Sequence, residues 1–213
     1  MLALFDLDNT LVDRSAALRR WARMLAGHRG LPANAVAAIV DADGEGEVPR
    51  PDFLAAVRAL PGVRMSMAEL QEWYVATYAS CYVPDNNSTR ALSVLSSAGW
   101  KIGVVTNGSQ GRTVEKLARA GLAPLVDALC VAEEVGIRKP DPGIFVEVAR
   151  RCGVALEGWM IGDSPVEDIC GATRAGLRTA WVRRGRRWDE RLRRPDIEVD
   201  GVLEAARAIL GHA

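Results

Sequence analysis

The sequence predicts an α/β protein, a parallel sheet whose connections are helices, interrupted near its start by an all-helical insertion. Three observations predict it. Short apolar runs of strand length recur and end in polar turns, segments of helical spacing alternate with most of them, and one long stretch carries helical spacing only.

Leu2 to Phe5 reads as a buried strand that delivers Asp6 and Asp8 at its C-terminal edge, where open α/β sheets hold ligands. Apolar residues then recur at helical spacing from Ser15 to Gly27 (Leu18, Trp21, Ala22, Leu25), and Pro32 to Val40, Phe53 to Leu60 and Met67 to Tyr82 continue the pattern. No strand intervenes, so residues 14–83 form an inserted helical module and residues 1–13 with 84–213 form the core. After Pro84 helix and strand alternate: helix Ser88 to Ala98, strand Lys101 to Thr106, helix Gly111 to Ala120, strand Ala128 to Val131, helix Pro142 to Cys152, strand Gly158 to Ile161, helix Val166 to Ala175 and strand Arg178 to Val182. Gly99, Gly121, Gly153 and Gly176 stand where these helices should stop. A strand near Ile197 to Val199 and a helix from Val202 to Leu210 follow. The Arg-rich stretch Arg183 to Arg194 reads as a solvated loop.

Composition narrows the function classes. Of 213 residues, 49% are apolar and 25% charged, ordinary values for a globular chain. Lys plus Arg and Asp plus Glu balance at 27 each, leaving no net field to attract nucleic acid or an anionic membrane, so neither partner is expected. Cys81, Cys130, Cys152 and Cys170 form no Cys-x-x-Cys pair, which argues against a zinc or dithiol site and for reduced thiols. The start of the chain shows no basic segment leading into a long apolar one, and no apolar run reaches the roughly 20 residues of a membrane span. A cytoplasmic protein, a monomer by default with a dimer as the alternative, is the resulting expectation.

Four polar clusters fall at the ends of predicted strands. FDLDNT places Asp6 and Asp8 one residue apart, so that one can face a ligand while the other assists it; alone, this is equally well an acidic turn. GDSPVED adds Asp163 and Asp168 after a later strand, and gathered carboxylates need a cation or protons to limit their repulsion; oxygen ligands of this kind favour magnesium. Thr106 and Asn107, in TNG, open a helix whose N–H groups and hydroxyl can hold a phosphate oxygen or simply cap it. Lys139, in RKPDP and followed by Pro140 and Pro142, can present an ammonium to an anion from a stiff loop. The order and common placement of the four carry more weight than any one of them.

With these four motifs the sequence resembles the haloacid dehalogenase superfamily, in its branch with a helical cap that includes phosphoglycolate phosphatases, β-phosphoglucomutases and 2-haloacid dehalogenases. The resemblance implies a Rossmann-like three-layer core, a cap at residues 14–83, and Mg2+ as cofactor. It implies that Asp6 attacks phosphorus to form an aspartyl phosphate and that Asp8 protonates the leaving oxygen and then activates water. Thr106 and Lys139, with Asn107 assisting, would bind the phosphoryl oxygens. Asp6, the main-chain carbonyl of Asp8, Asp163 and Asp168 would surround the metal, the last directly, through water, or by orienting Lys139. Halide displacement from carbon needs no proton donor, so an acid at Asp8 favours phosphoryl transfer over dehalogenation. The expected activity is hydrolysis of a small phosphate monoester. A phosphomutase is the alternative within the family, and a phosphoacceptor signalling domain the alternative outside it, opposed by the helical insertion and by Asp8.

The helical module offers polar candidates in Asp13, Arg14, Arg19, Arg20 and Arg50, each more simply a surface charge, and aromatic ones in Trp21, Trp73 and Tyr74, more simply its core. Asp41 to Asp52, DADGEGEVPRPD, approaches an EF-hand calcium loop. Asp52 stands where glutamate is usual, and Pro49 and Pro51 stiffen the backbone, so a plain interhelical loop is the better reading.

Overall fold

The structure, a computed structural model, describes residues 1–46 and 48–211. Its chain divides into two compact units, Met1–Val12 with Pro84–Ala213 and Asp13–Val83. The Asp13 side chain accepts from the Ala16 N–H at 2.9 Å and so caps the first helix of the second unit, which places it there rather than in the core.

The core begins with β1 (Leu2–Phe5), buried at every residue. The helical unit follows with α1 (Arg14–Arg29), α2 (Ala35–Asp43), α3 (Arg50–Arg58) and α4 (Met67–Thr77). Helical spacing through Tyr82 predicted a longer last helix; α4 instead stops at Thr77 and a 3-10 turn, Ala79–Cys81, completes the segment. Trp21 fills the centre of this unit, with its ring centroid 5.9 Å from Phe53, 5.4 Å from Trp73 and 5.1 Å from Tyr74. Trp21 and Tyr74 are buried, as residues of a helical core should be.

The calcium-loop resemblance dissolves in this unit. Asp41 and Asp43 lie within α2 and Asp52 within α3; Glu47 lies outside the described residues. Asp43 is buried and its two oxygens accept from Arg14 at 2.6 and 2.8 Å, with Arg50 3.6 Å away. A carboxylate committed to two guanidinium groups is not a calcium ligand. Arg14 and Arg50 are correspondingly not simple surface charges, and Arg50 also lies 4.8 Å from the Tyr74 ring centroid.

The core resumes with α5 (Asn86–Ser97), β2 (Lys101–Thr106), α6 (Gln110–Arg119), β3 (Ala128–Val131), α7 (Ala132–Val135), α8 (Pro142–Cys152) and β4 (Gly158–Gly162). After a helical segment at 165–174 come β5 (Arg178–Val182), β6 (Ile197–Val199) and α10 (Val202–Gly211), α9 (Gly171–Arg174) being the regular part of that segment. All six strands are parallel in the order β3-β2-β1-β4-β5-β6. This is the Rossmann-like α/β architecture the alternation predicts. With β1 in the middle, paired to β2 and β4 in matched register, the ends of the three strands that carry Asp6, Thr106 and Asp163 are neighbours. On one face Leu4, Val105, Ile144, Phe145, Val148 and Met160 pack between sheet and helix.

One predicted helix differs. Val166 to Ala175 is not a single α-helix: it opens as a π-helical turn, Pro165–Cys170, and only then tightens into α9. The wide turn carries Asp168 inward to complete burial at the sheet edge. Gly162 permits it, because a Cβ there would stand 2.3 Å from the Asp168 carboxyl carbon. Cys81, Cys130 and Cys152 are buried free thiols, and burial pushes Cys130 and Cys152 up to about 11, which leaves them unreactive.

Candidate active site

The loop after β1 turns tightly. The Asp6 N–H donates to the Ile161 carbonyl, continuing the β1–β4 ladder by one residue, and the Asn9 N–H donates to Val12 across a turn in which Asn9 has φ 63°. Asp6 is thereby held at the strand end, and Asp8 lies in the turn that follows.

Lys139 is the centre of the arrangement. Its Nζ lies 2.6 Å from Asp6 Oδ1 and 2.7 Å from Asp168 Oδ1, with the lysine side chain 1% exposed. The loop bearing it, in which the Lys139–Pro140 peptide is cis, is clamped by Asn107: Asn107 Nδ2 donates to the Lys139 carbonyl at 2.9 Å, and the Lys139 N–H donates back to Asn107 Oδ1 at 2.8 Å. Asn107 therefore reaches the site through Lys139. Thr106, buried at the end of β2, accepts from the Gly108 N–H at 3.3 Å. Asp168 Oδ2 accepts from the Ser164 N–H at 2.9 Å, so each of its oxygens has a donor.

Asp163 completes an acidic group. One carboxylate oxygen from each of Asp6, Asp163 and Asp168 lies within 4.8 Å of the others. Burial raises the Asp6 carboxyl well above the usual carboxylate range; Lys139 opposes this, and the charges of Asp168 and Asp163 reinforce it. Asp163 is pushed up to about 6, by burial first and then by Asp168, with Arg186 and Arg184 pulling the other way. Burial alone would depress the Lys139 ammonium, but the charges of Asp168 and Asp6 outweigh it and hold the group protonated. One ammonium shared by two carboxylates, with a third beside them, leaves a surplus of negative charge. A hard divalent cation with oxygen ligands fits that surplus, and the donor set suits magnesium better than a softer metal.

Asp8 is not part of this acidic group. Its carboxylate meets Lys116, a residue that no motif marked, at 2.7 Å on one oxygen and 2.5 Å on the other. Lys116 is nine-tenths buried on α6, on the face that also buries Thr113 and Leu117. A lysine on the apolar stripe of an amphipathic helix is the signal that could have found it. The Arg-rich stretch is also more than a solvated loop. Arg186 Nη2 donates to the Asp163 carbonyl at 2.6 Å and to its carboxylate at 2.9 Å, and Arg184 donates to the Asn9 carbonyl at 3.0 Å. Trp181 Nε1 donates to the same Asp163 carbonyl at 2.9 Å. Their importance depends on partners 18 to 175 residues away, which no local pattern reveals.

Carboxylates and a buried lysine gathered at the C-terminal ends of parallel strands define a Rossmann-like α/β enzyme. A family model for haloacid dehalogenase-like hydrolases matches residues 1–176, and the chain belongs to that family. It is 41% identical over 114 residues to a glyceraldehyde 3-phosphate phosphatase of Methanopyrus kandleri, a match covering 51% of this chain and 49% of that one. It is 30% identical over 188 residues to a phosphoglycolate phosphatase of Cereibacter sphaeroides, covering 86% and 85%. In the matches to the first of its curated relatives the chain spans about half of their length. The crystal structure of the HAD hydrolase YfnB from Bacillus subtilis bound to magnesium shares the fold, with a TM-score of 0.77, 24% identity and 98% of each chain covered. No helix among the described residues is long and apolar enough to cross a membrane.

Proposed function

We propose that the chain is a magnesium-dependent phosphatase that hydrolyses a small phosphate monoester through an aspartyl phosphate on Asp6. The observation that carries this reading is the buried Lys139 ammonium shared between Asp6 and Asp168, with Asp163 within reach of the same cation position. Relatives named for action on glyceraldehyde 3-phosphate and phosphoglycolate support a small, anionic ester as the substrate class.

Asp6, at the end of β1, is the nucleophile: an oxygen of its carboxylate forms a bond to phosphorus as the ester P–O bond breaks, and Asp8 gives a proton to the leaving oxygen. Water then attacks the aspartyl phosphate, Asp8 takes its proton, and inorganic phosphate leaves with Asp6 restored. Lys139 and Thr106 bind phosphoryl oxygens and stabilise the charge that gathers on them, while Asn107 keeps Lys139 in place through its paired backbone bonds. Asp6, the Asp8 main-chain carbonyl, Asp163 and Asp168 would hold magnesium. When bound, the metal supplies positive charge that offsets repulsion between Asp6 and phosphate. Selection among esters is assigned to the helical unit, Asp13–Val83.

The test is release of inorganic phosphate from a panel of metabolite phosphates, with and without magnesium, for the wild type and Asp6→Asn. Magnesium-dependent turnover that disappears in Asp6→Asn is expected. Turnover by Asp6→Asn at the wild-type rate overturns the mechanism, and isomerised sugar phosphate without released phosphate overturns hydrolysis in favour of transfer.

A further inference from the structure

The ion pair between Lys116 and Asp8 is absorbed by none of the four motifs. Both groups belong to the core, 108 residues apart, and the lysine side chain is 11% exposed against 26% for the aspartate. Burying an ammonium on the apolar face of α6 is costly unless it is paired, and here it spans both oxygens of one carboxylate. Asp6 and Asp168 already share Lys139, so the two lysines serve separate acids.

We propose that Lys116 is a positioning residue that fixes the carboxyl plane of Asp8 for both of its proton transfers. The geometry suits either protonation state. Two Nζ–H bonds hold an ionised Asp8 by both oxygens, and when one oxygen carries the proton destined for the leaving group, the other still accepts from Lys116. A proton donor left to rotate would lose the alignment on which general acid catalysis depends. The flanking contacts fit this role: the Asn9 N–H donates to the Val12 carbonyl and Arg184 donates to the Asn9 carbonyl, so the backbone beside Asp8 is tied down while Lys116 ties down its side chain. This inference rests on the phosphatase reading above.

The dependence of rate on the leaving group separates positioning from plain structural support. A nitrophenolate leaves without a proton, whereas a phenolate or a methyl-substituted phenolate needs one progressively more. The experiment measures kcat and KM of full-length wild type, Lys116→Met, Lys116→Gln and Lys116→Arg with magnesium on p-nitrophenyl, phenyl and p-methylphenyl phosphate, with thermal unfolding of each variant. For Lys116→Met and Lys116→Gln, kcat on phenyl and p-methylphenyl phosphate should fall roughly tenfold or more beyond the fall on p-nitrophenyl phosphate, as part of the ~10²–10⁴ that a general acid contributes. KM on phenyl and p-methylphenyl phosphate should change little, and Lys116→Arg should restore the wild-type ratio. With p-nitrophenyl phosphate a burst of nitrophenolate should appear, because slowed water activation lets the phosphoenzyme accumulate. An equal loss on all three esters, whatever the change in Tm, assigns Lys116 to structure and overturns the proposal. A rise in KM common to the three makes it a phosphate ligand and does the same. If the wild type hydrolyses none of the esters in this series or in the metabolite panel, the phosphatase reading itself fails, a result distinct from either.

Discussion

Replacing Lys139 by methionine isolates the electrostatics of the site. Its Nζ stands 2.6 Å from Asp6 and 2.7 Å from Asp168, and the three side chains are 1%, 9% and 1% exposed. Methionine conserves the length of the chain and most of its packing, so the change is chiefly the loss of one positive charge facing two carboxylates. Removing one partner of a buried pair costs about 3–5 kcal/mol, and sharing by two acids places Lys139→Met toward the upper end, about 5 kcal/mol. Against a total stability of ~5–15 kcal/mol for an ordinary domain, the variant should fold but unfold at clearly lower urea concentration. Two conditions sharpen the test. A chelator keeps stray divalent cations from replacing the missing charge. Acidification toward about pH 5 should narrow the gap, since a neutral carboxyl needs no counter-ion and burial already raises the Asp6 pKa. Adding Asp168→Asn to Lys139→Met should recover about 1–3 kcal/mol by removing one of the stranded charges. A Lys139→Met protein within about 1 kcal/mol of wild type at neutral pH in chelator would refute the claim that this lysine neutralises the site.

Three further outcomes follow from the same geometry. Gly162→Ala forces a Cβ to 2.3 Å from the Asp168 carboxyl carbon and should cost about 1–3 kcal/mol in urea unfolding; an unchanged midpoint would mean that Asp168 does not lie against β4. Arg14→Met in the helical unit strands the buried Asp43, with only Arg50 left at 3.6 Å, and should cost about 3 kcal/mol, most of it recovered in Arg14→Met/Asp43→Leu; a double variant no more stable than the single one contradicts the pairing. Asp163, ordinarily near 3.8 and raised to about 6, favours the folded chain fully below its unfolded pKa, and that contribution is lost as pH rises through about 6. In chelator, stability should therefore fall by up to about 3 kcal/mol between pH 4 and 7, and Asp163→Asn should flatten that fall; an equal slope in the variant counts against it.

Local pattern made most of the core legible. Buried parallel strands are short, largely apolar runs, and β1, β2, β3 and β5 occupy the residues that such runs mark. Asp6 and Asp163 directly follow β1 and β4 and Thr106 ends β2, and strand ends converge in this topology, whereas Lys139 lies beyond α7 and was marked by its motif alone. The errors came where conformation depends on packing. A π-turn at Pro165–Cys170 and an α-turn differ by a small change in winding, and it is the approach of Asp168 to Gly162 and Lys139 that the wider turn accommodates. The stop at Thr77 is equally invisible to helical spacing, since apolar residues continue beyond it.

The sequence by itself determined the fold class, because it follows from periodicities of two and 3.6 residues. Tertiary structure alone decided which charges meet. Lys139 serves Asp6 and Asp168, Lys116 serves Asp8, Arg186 holds Asp163, and Arg14 with Arg50 claims Asp43. The physical reason is that a charge is tolerated in a low-dielectric interior only beside its partner, and the sheet order β3-β2-β1-β4-β5-β6, not proximity in the chain, sets which partner that is.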